Sequence, residues 1–267
     1  MFEEDFRTAS RLRYGSEPPA EVPELAPFLR HRSVRKYADR EVPESLVAGL
    51  VAAAQSASTS SNLQLYSLVS VQDPALRAQV AQCCADQKQV HAAPWFFAFL
   101  ADHHRLRRAA LAVDEGAEGL DYLEFFLMAA LDAALAAERM TVAAEAVGLG
   151  VCYIGALRND PEGIARLLDL PTGVFGLFGL CIGYPAEGSS AEIKPRLPQE
   201  AIWFRDRYNA EAGLGDYDAR MGEFYEAQQM KGEVTWSMRS GRRVDGRHMT
   251  GREVLLEWLR GRGFLRR

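Results

Sequence analysis

The sequence predicts a single α+β domain in which helices pack on both faces of a modest β-sheet. Strand-like and helix-like segments alternate along the 267 residues, but without the regular spacing of βαβ units. Residues 93–102 and 174–185 are apolar almost throughout, as expected for strands that are buried on both faces. Residues 119–146 form a long segment rich in alanine and leucine that is typical of a buried helix.

The first elements are defined by apolar spacing and by turn residues. Residues 42–57 carry apolar residues at helical spacing, and Pro43 is expected at the first helical position. Residues 65–72 (LYSLVSVQ) have the composition of a strand. The Asp-Pro pair that follows predicts the start of a helix that ends near Cys84.

The middle of the chain holds the predicted central strand and the long helix. The strand over residues 93–102 is followed by DHHRLRR, which we interpret as a solvated loop containing His103 and His104. The long helix then runs from about Gly119 to Ala146. Its six alanines between residues 129 and 137 would let another helix approach closely.

Glycine and proline delimit the remaining elements. Residues 148–159 (GLGVCYIGALRN) indicate a helix stop, a short strand and a loop, and residues 161–171 indicate a helix that begins at its first proline. The strand over residues 174–185 follows. Helix-like segments near residues 215–230 and 251–260 complete the chain.

Composition and charge exclude several classes of protein. The formal net charge of −5 argues against a general nucleic-acid surface, and the acidic start MFEEDFRTAS is no secretory signal. The longest apolar stretch carries four charges, which a membrane span would not tolerate; they are Asp132, Glu138, Arg139 and Glu145. A cytoplasmic protein is therefore expected.

The four cysteines do not form a metal-binding pattern. They are Cys83, Cys84, Cys152 and Cys181. None has CxxC spacing or a histidine at the distance of a metal ligand, so we expect free buried thiols and no zinc site.

Two cationic clusters stand out in this acidic chain. In RHRSVRKY, residues 30–37, basic side chains and a serine lie close together; in KPRLP, Lys194 and Arg196 flank a proline. Either cluster alone is compatible with a solvated basic turn. A doubly charged group such as a phosphate monoester would be a reason to bring both together, because guanidinium groups bind phosphate oxygens in fixed geometry.

The junction SASTSSNLQ, residues 56–64, is rich in hydroxyl and amide groups. Asn62 and Gln64 offer donors and acceptors suited to the edge of a heterocycle or to a ribityl chain. A helix-ending turn is the alternative interpretation of this junction. Ser56, Ser58 and Ser67 are assigned to local structure and not to a site. Nowhere is a GxSxG elbow or a dinucleotide-binding fingerprint found, so a cofactor is expected to supply the chemistry.

Six motifs in order, HRSVR, SASTSSNLQ, DQKQV, VCYIGALRN, LFGLCIGYP and KPRLP, resemble the nitroreductase/flavin reductase family over about residues 25–260. The resemblance is greatest to oxygen-insensitive NADPH nitroreductases and NADPH-flavin oxidoreductases. It implies a central, mostly antiparallel sheet flanked by helices, in an intertwined homodimer with FMN at the interface. Residues 1–24 would be an N-terminal helical arm, residues 25–198 the FMN-binding core, and residues 199–267 a C-terminal extension.

The resemblance also implies an FMN site. The phosphate and the pyrimidine edge would meet His31, Arg32, Ser33 and Arg35, and the phosphate would also meet Lys194 and Arg196. The flavin would be lined by Thr59, Ser60, Ser61, Gln64 and Gln87, and by the segment Tyr153, Ile154, Gly155, Ala156 and Leu157, whose backbone would pass beside the ring. Asn62 would lie on the substrate side, and Lys231 and Arg252 are weaker candidates for nucleotide binding. Glu124 is equally compatible with a catalytic and an interface role.

The activity implied is a two-step exchange in which NAD(P)H reduces FMN and leaves, and a nitroaromatic, quinone or free flavin then takes the reducing equivalents. The segment before the TW pair contains Lys231 as its only cation, so the choice between NADPH and NADH stays open. Two alternatives also stay open. The chain could use FMN for another reduction, such as reductive dehalogenation, or could bind flavin without turnover.

Overall fold

The apolar segments predicted as strands form one antiparallel sheet in the structure, a computed structural model that describes residues 4–18, 20–189, 191–230 and 234–267. The strands are β1 (Tyr66–Ser70), β2 (Trp95–Asp102), β3 (Gly150–Ile154) and β4 (Val174–Gly183), in the order β1-β2-β4-β3. In these residues the α-helices are α1 (Phe6–Tyr14), α2 (Ala26–Leu29), α3 (Glu44–Gln55), α4 (Pro74–Cys83), α5 (Lys88–Ala92), α6 (His104–Leu111), α7 (Leu123–Ala146), α8 (Pro161–Leu167), α9 (Tyr217–Ala227), α10 (Trp236–Val244) and α11 (Leu255–Gly261). The predicted α+β class is confirmed.

The chain divides into two compact units. Residues 33–189 and 250–267 form one, which contains the sheet and is called the sheet unit here. Residues 1–32 and 190–249 form the other, called the terminal unit. The boundaries at residues 24 and 198 that the sequence suggested stay a prediction.

The central strand β2 separates two hydrophobic cores in the sheet unit. One core, shared with α3 and α7, contains Phe97, Phe99 and Ala101 of β2. The other, shared with α4, α5 and α8, contains Phe96, Ala98 and Leu100. Because successive side chains of a strand point to opposite faces, this alternation means that β2 is buried on both sides. The prediction from its continuous apolar sequence is confirmed, as is the packing of helices on both faces.

The long helix α7 packs against α3 through small side chains. Ala129, Ala133, Ala136 and Ala137 are all fully buried, which confirms the expected close approach of a second helix. The helix begins at Leu123, later than the predicted start near Gly119, because residues 118–121 form a separate 3₁₀ turn. Pro43 was likewise expected inside its helix, whereas α3 begins at Glu44.

Two glycines join α7 to β3 in the way their positions require. Gly148 has φ of +81° and ends the helix. At Gly150 a Cβ atom would lie 2.5 Å from the side chain of Val34, so only glycine fits there. This close approach lets the backbone N–H of Val34 donate to the carbonyl of Val151 at 2.8 Å.

The terminal unit contains α1, α2, α9 and α10. Asp5 caps α1 by accepting a hydrogen bond from the backbone N–H of Thr8 at 2.7 Å. Gly15 ends that helix with φ of +74°. The rings of Tyr217 on α9 and Trp236 on α10 pack edge to face with centroids 5.5 Å apart. The predicted terminal helices near residues 215–230 and 251–260 are thus α9 and α11, whereas α10 was not foreseen.

The expectation of a solvated loop at His103 and His104 is wrong. His103 is completely buried, and His104 begins helix α6. The imidazole of His103 packs against the ring of Phe264, with centroids 4.6 Å apart, in the C-terminal segment of the sheet unit. The expectation that all four cysteines are buried is also wrong, because Cys83 is only partly buried, whereas the other three cysteines are buried.

We predict that burial of His103 makes the protein lose stability as the pH falls. Desolvation lowers the pKa of His103 and outweighs the opposite effect of hydrogen bonds with the backbone of Phe125 and Leu120. The charge of Arg107 also lowers the pKa, and that of Asp102 raises it. The unfolded chain, with an imidazole pKa near 6.5, therefore takes up a proton at a pH where the folded chain does not. Stability falls below that pH.

The measurement is the free energy of unfolding in urea at pH 7.5 and at pH 5.0, for the wild type and for His103→Gln. The variant should lose less stability between the two pH values than the wild type does. His104→Gln, at the adjacent and partly exposed position, serves as the matched control. An equal loss in all three proteins would contradict the prediction.

Candidate functional site

The hydroxyl loop, residues 59–65, has an unusual backbone. Ser61, Asn62 and Gln64 have φ of +49°, +56° and +51°. These values lie in the left-handed region that residues other than glycine seldom adopt. The side chains of all three are exposed. Three such residues within so short a stretch need an external constraint to hold them.

Asp132 on α7 provides that constraint. Its carboxylate is completely buried and accepts hydrogen bonds from the backbone N–H of Ser60 at 2.7 Å and of Leu65 at 3.1 Å. These two bonds bracket the left-handed residues, so the loop is held at both ends while its polar side chains stay exposed. From the sequence, Asp132 was noticed only as a charge within an apolar helix.

Local structure accounts for two of the serines near the loop, as the sequence suggested. Ser56 donates to the carbonyl of Ala53 at 2.7 Å at the end of α3. Ser67 donates to the carboxylate of Asp102 at 2.6 Å. The groups left to face a ligand are therefore concentrated in the hydroxyl loop itself.

The predicted flavin-side segment, residues 153–157, has three buried side chains. Ile154, Ala156 and Leu157 belong to the hydrophobic core shared with α4, α5 and α8. Tyr153 is 38% exposed, and its hydroxyl accepts from Thr141 and donates to Glu138 on α7, each at 3.2 Å. The side chains of Ile154, Ala156 and Leu157 are therefore not available to a flat ligand at this segment.

Arg252 contacts this same segment. Its guanidinium donates to the side chain of Asn159 and to the carbonyl of Gly155, each at 2.9 Å. Arg252 therefore ties the residues just before α11 to the loop after β3. Its role in nucleotide binding stays a prediction, and Lys231, the other candidate, lies outside the described residues.

The remaining sheet-unit candidates are spread over three places. Ser33 pairs with Val151 in an isolated parallel bridge, which brings the stretch around Arg35 close to β3. The exposed guanidinium of Arg35 reaches the carbonyl of Ser33 at 3.5 Å. Gln87 precedes α5, where its side chain accepts from Gln89, and Glu124 is exposed in the first turn of α7.

In the terminal unit, one buried arginine joins the start of the first cationic cluster to the second. The guanidinium of Arg13 donates to the carbonyl of Lys194 at 2.8 Å, to that of Leu29 at 3.0 Å, and to that of His31. The backbones of residues 29–31 and 194 are thus held side by side, although they lie far apart in the sequence. Whether the cationic side chains share one phosphate stays a prediction, and no motif in the sequence marks Arg13 as the residue that holds these backbones together.

The side chains of Lys194 and Arg196 line a cavity of about 670 Å³ in the terminal unit. Aromatic groups make up much of the remaining wall; they are Tyr14, Trp203, Tyr217, Tyr225 and Trp236. Cations beside aromatic rings suit a ligand that combines negative charge with a planar group. Arg32 differs from these cations because it is buried and paired with Glu4 at 2.8 Å.

Across the ranges that the structure describes, no helix has both the length and the apolar character needed to span a bilayer. In the same ranges, no group of three histidine, cysteine or carboxylate side chains is arranged to hold a metal ion.

We predict that Asp132→Asn destabilises the sheet unit. An amide in place of the carboxylate must turn its NH₂ group toward one of the two backbone N–H donors, which leaves that donor unsatisfied. The expected cost is about 1–3 kcal/mol, the range for an unpaired buried polar group. Urea unfolding measures it, with Asp39→Asn at an exposed site as the control. Equal stability of the two variants would show that the loop does not depend on Asp132.

Comparisons with known proteins match nearly the whole chain. Residues 29–184 match the Nitroreductase family, and residues 194–267 match the C-terminal domain of that family. The FMN reductase (NADPH) of Bacillus subtilis (strain 168) is 38% identical over 219 residues, which cover 79% of this chain and 86% of that protein.

Two solved structures are similar to this one. A nitroreductase from Bacillus subtilis superposes with a TM-score of 0.83 at 34% identity, covering 90% of this chain and 98% of the other. The NADPH:FMN oxidoreductase from Vibrio harveyi, solved in complex with NAD⁺, has a TM-score of 0.79 at 31% identity, again covering 90% of this chain and 98% of the other.

Proposed function

The chain belongs to the nitroreductase family, and we propose that it is an NAD(P)H-dependent FMN oxidoreductase that reduces nitroaromatics, quinones or free flavin. The observation that carries this proposal is the hydroxyl loop, where a buried carboxylate holds exposed hydroxyl and amide groups in a fixed backbone. The relatives named for FMN and NADPH support it.

The chemistry of the donor set fits FMN. The exposed groups of Ser61 and Gln64 suit the hydroxyls of a ribityl chain and the polar edge of the ring. The backbone of residues 153–157 suits the flat ring. Lys194 and Arg196, which line a cavity in the terminal unit, suit a phosphate monoester.

FMN, when bound, accepts a hydride from the nicotinamide and passes reducing equivalents to an acceptor. The protein's own residues bind and orient the reactants. Arg35, an exposed cation, is proposed to favour negative charge at the pyrimidine edge of the ring. Asn62, exposed in the hydroxyl loop, is proposed to contact the acceptor.

The decisive experiment begins with the colour of the purified protein. We expect a yellow protein with about one FMN per chain, because each unit presents polar or cationic groups that suit one part of the cofactor. Anaerobic titration with NADPH and with NADH should bleach it, and the ratio of kcat/KM for the two nucleotides gives the preference.

Two results would contradict the proposal in different ways. Colourless protein that fails to bind added FMN would exclude a flavoenzyme altogether. Yellow protein that neither nucleotide bleaches would exclude a nicotinamide-dependent reductase and favour a flavin-binding role without turnover.

A stripe of exposed leucines on α7 supports a homodimer. Leu123, Leu127, Leu131 and Leu135 are four residues apart, so they lie on one face of the helix. Their exposed fractions are 53%, 47%, 58% and 48%. We propose that a second copy of the chain covers this face, as the family resemblance implies.

We predict that Leu131→Glu, in the middle of the stripe, shifts the protein from dimer to monomer, because a charge would have to be buried in an apolar interface. Light scattering coupled to size-exclusion chromatography measures the mass. Leu111→Glu, at an exposed leucine on α6, is the matched control and should leave the dimer intact. A dimer that survives both substitutions would place the interface elsewhere.

A further inference from the structure

Arg13 is buried and is hydrogen-bonded to the backbone, unlike the arginines on the surface of α1. Its residue is only 5% exposed, although it lies on α1 among exposed, ion-paired neighbours such as Arg11. All three nitrogens of its guanidinium donate to backbone carbonyls, at Leu29, His31 and Lys194. A planar fork with five donors can bridge several carbonyls at once, whereas a lysine ammonium is a compact point charge.

The backbone of Arg13 adds a second link to the same segment. Its carbonyl accepts from the backbone N–H of Arg196 at 2.7 Å, and also from the guanidinium of Arg220 on α9 at 3.1 Å. Arg220 in turn donates to the carbonyl of Arg196 at 3.3 Å. The stretch from Lys194 to Arg196 is therefore held at both ends by contacts that converge on one residue of α1.

Arg13 itself lies outside the residues matched to the family, whereas the backbone groups that it contacts lie within them. Arg13 precedes residue 29, where the match to the Nitroreductase family begins. Tyr14, the next residue, lines the cavity that Lys194 and Arg196 also line. The arm thus contributes directly to the surroundings of both cations.

We propose that Arg13 is a positioning residue for a phosphate group bound by Lys194 and Arg196. This role rests on the proposed function, in which the phosphate is that of FMN. Lysine and arginine side chains lose much conformational freedom when they bind an anion. Fixing the backbone from which they project leaves less freedom to be lost on binding, which strengthens binding of the phosphate.

The test compares FMN with riboflavin, which lacks the phosphate. Apoprotein is titrated with each flavin, and the dissociation constants follow from the quenching of flavin fluorescence. In Arg13→Ala the Kd for FMN should rise about tenfold, because Lys194 and Arg196 would then project from a less fixed backbone and lose more freedom on binding, while the Kd for riboflavin changes less than about twofold. A general loss of structure would instead weaken both flavins equally.

Four further variants are compared: Arg196→Ala, the double variant Arg13→Ala/Arg196→Ala, Arg11→Ala and Arg13→Lys. Arg196→Ala should raise the ratio of the Kd for FMN to the Kd for riboflavin, as Arg13→Ala does. Its effect should not add fully to that of Arg13→Ala, because both act on one phosphate. Arg11→Ala removes the same charge from the same helix and should leave the ratio unchanged. Arg13→Lys keeps the charge but cannot span the three carbonyls, so it should still weaken FMN binding by about threefold or more.

Each outcome bears on a defined claim. If the wild type binds FMN and Arg13→Ala leaves the ratio of the Kd for FMN to the Kd for riboflavin unchanged, the positioning role is overturned and the proposed function is not. An Arg13→Lys variant that matches the wild type would overturn it too, since charge and not the fork would then suffice. Should Arg13→Ala fail to fold, Arg13→Lys decides the question. A wild type that binds neither flavin would overturn the proposed function and this role with it.

Discussion

The central strands β2 and β4 must bury both of their faces, and the rest of the sheet unit follows from that constraint. A strand covered on both sides has no face left for polar side chains, so hydroxyl, amide and charged groups are displaced to the loops. The packing is close enough that a Cβ atom on Gly179 of β4 would lie 2.4 Å from the ring of Phe96 on β2. Two layers of helices are needed to cover the two faces, and they determine where those loops emerge.

This constraint also determines which groups of residues 153–157 could contact a ligand. Ile154 and Leu157 are committed to the core beneath the sheet, so their side chains cannot turn toward a ligand. The main chain of this segment is held by the strand register of β3 with β4 and by the hydrogen bond from Arg252 to the carbonyl of Gly155. A ligand recognised through this main chain would be read by its shape and by its hydrogen-bonding edge.

The elements with a strong apolar pattern could be predicted, and those defined by distant contacts could not. Continuous apolar runs revealed β2 and β4, and alanine-rich helical spacing revealed α7. Helix α6 was not predicted because its sequence is basic and polar. The burial of His103 depends on Phe264, which lies near the C-terminus and far from His103 in the sequence. No local pattern in DHHRLRR indicates which histidine is covered by the C-terminal segment.

In the candidate site, too, the short motifs could be predicted from the sequence, and the residues that hold them in place could not. The groups that face a ligand are clustered in short motifs, and six of those motifs in order were sufficient to suggest the family. The residues that hold the motifs are single and remote: Asp132 lies 72 positions from Ser60, and Arg13 lies 181 positions from Lys194.

Asp132 and Arg13 use complementary chemistry for one purpose. The carboxylate accepts from backbone N–H groups and so holds the hydroxyl loop of the sheet unit. The guanidinium donates to backbone carbonyls and so holds the cationic segments of the terminal unit. In both cases a buried charge makes hydrogen bonds to main-chain groups, so the side chains next to those groups are not needed to hold the backbone. A buried charge of this kind can be replaced only by a group with the same hydrogen-bonding pattern, so substitution at either residue would disturb the loop it holds before it disturbed the hydrophobic core.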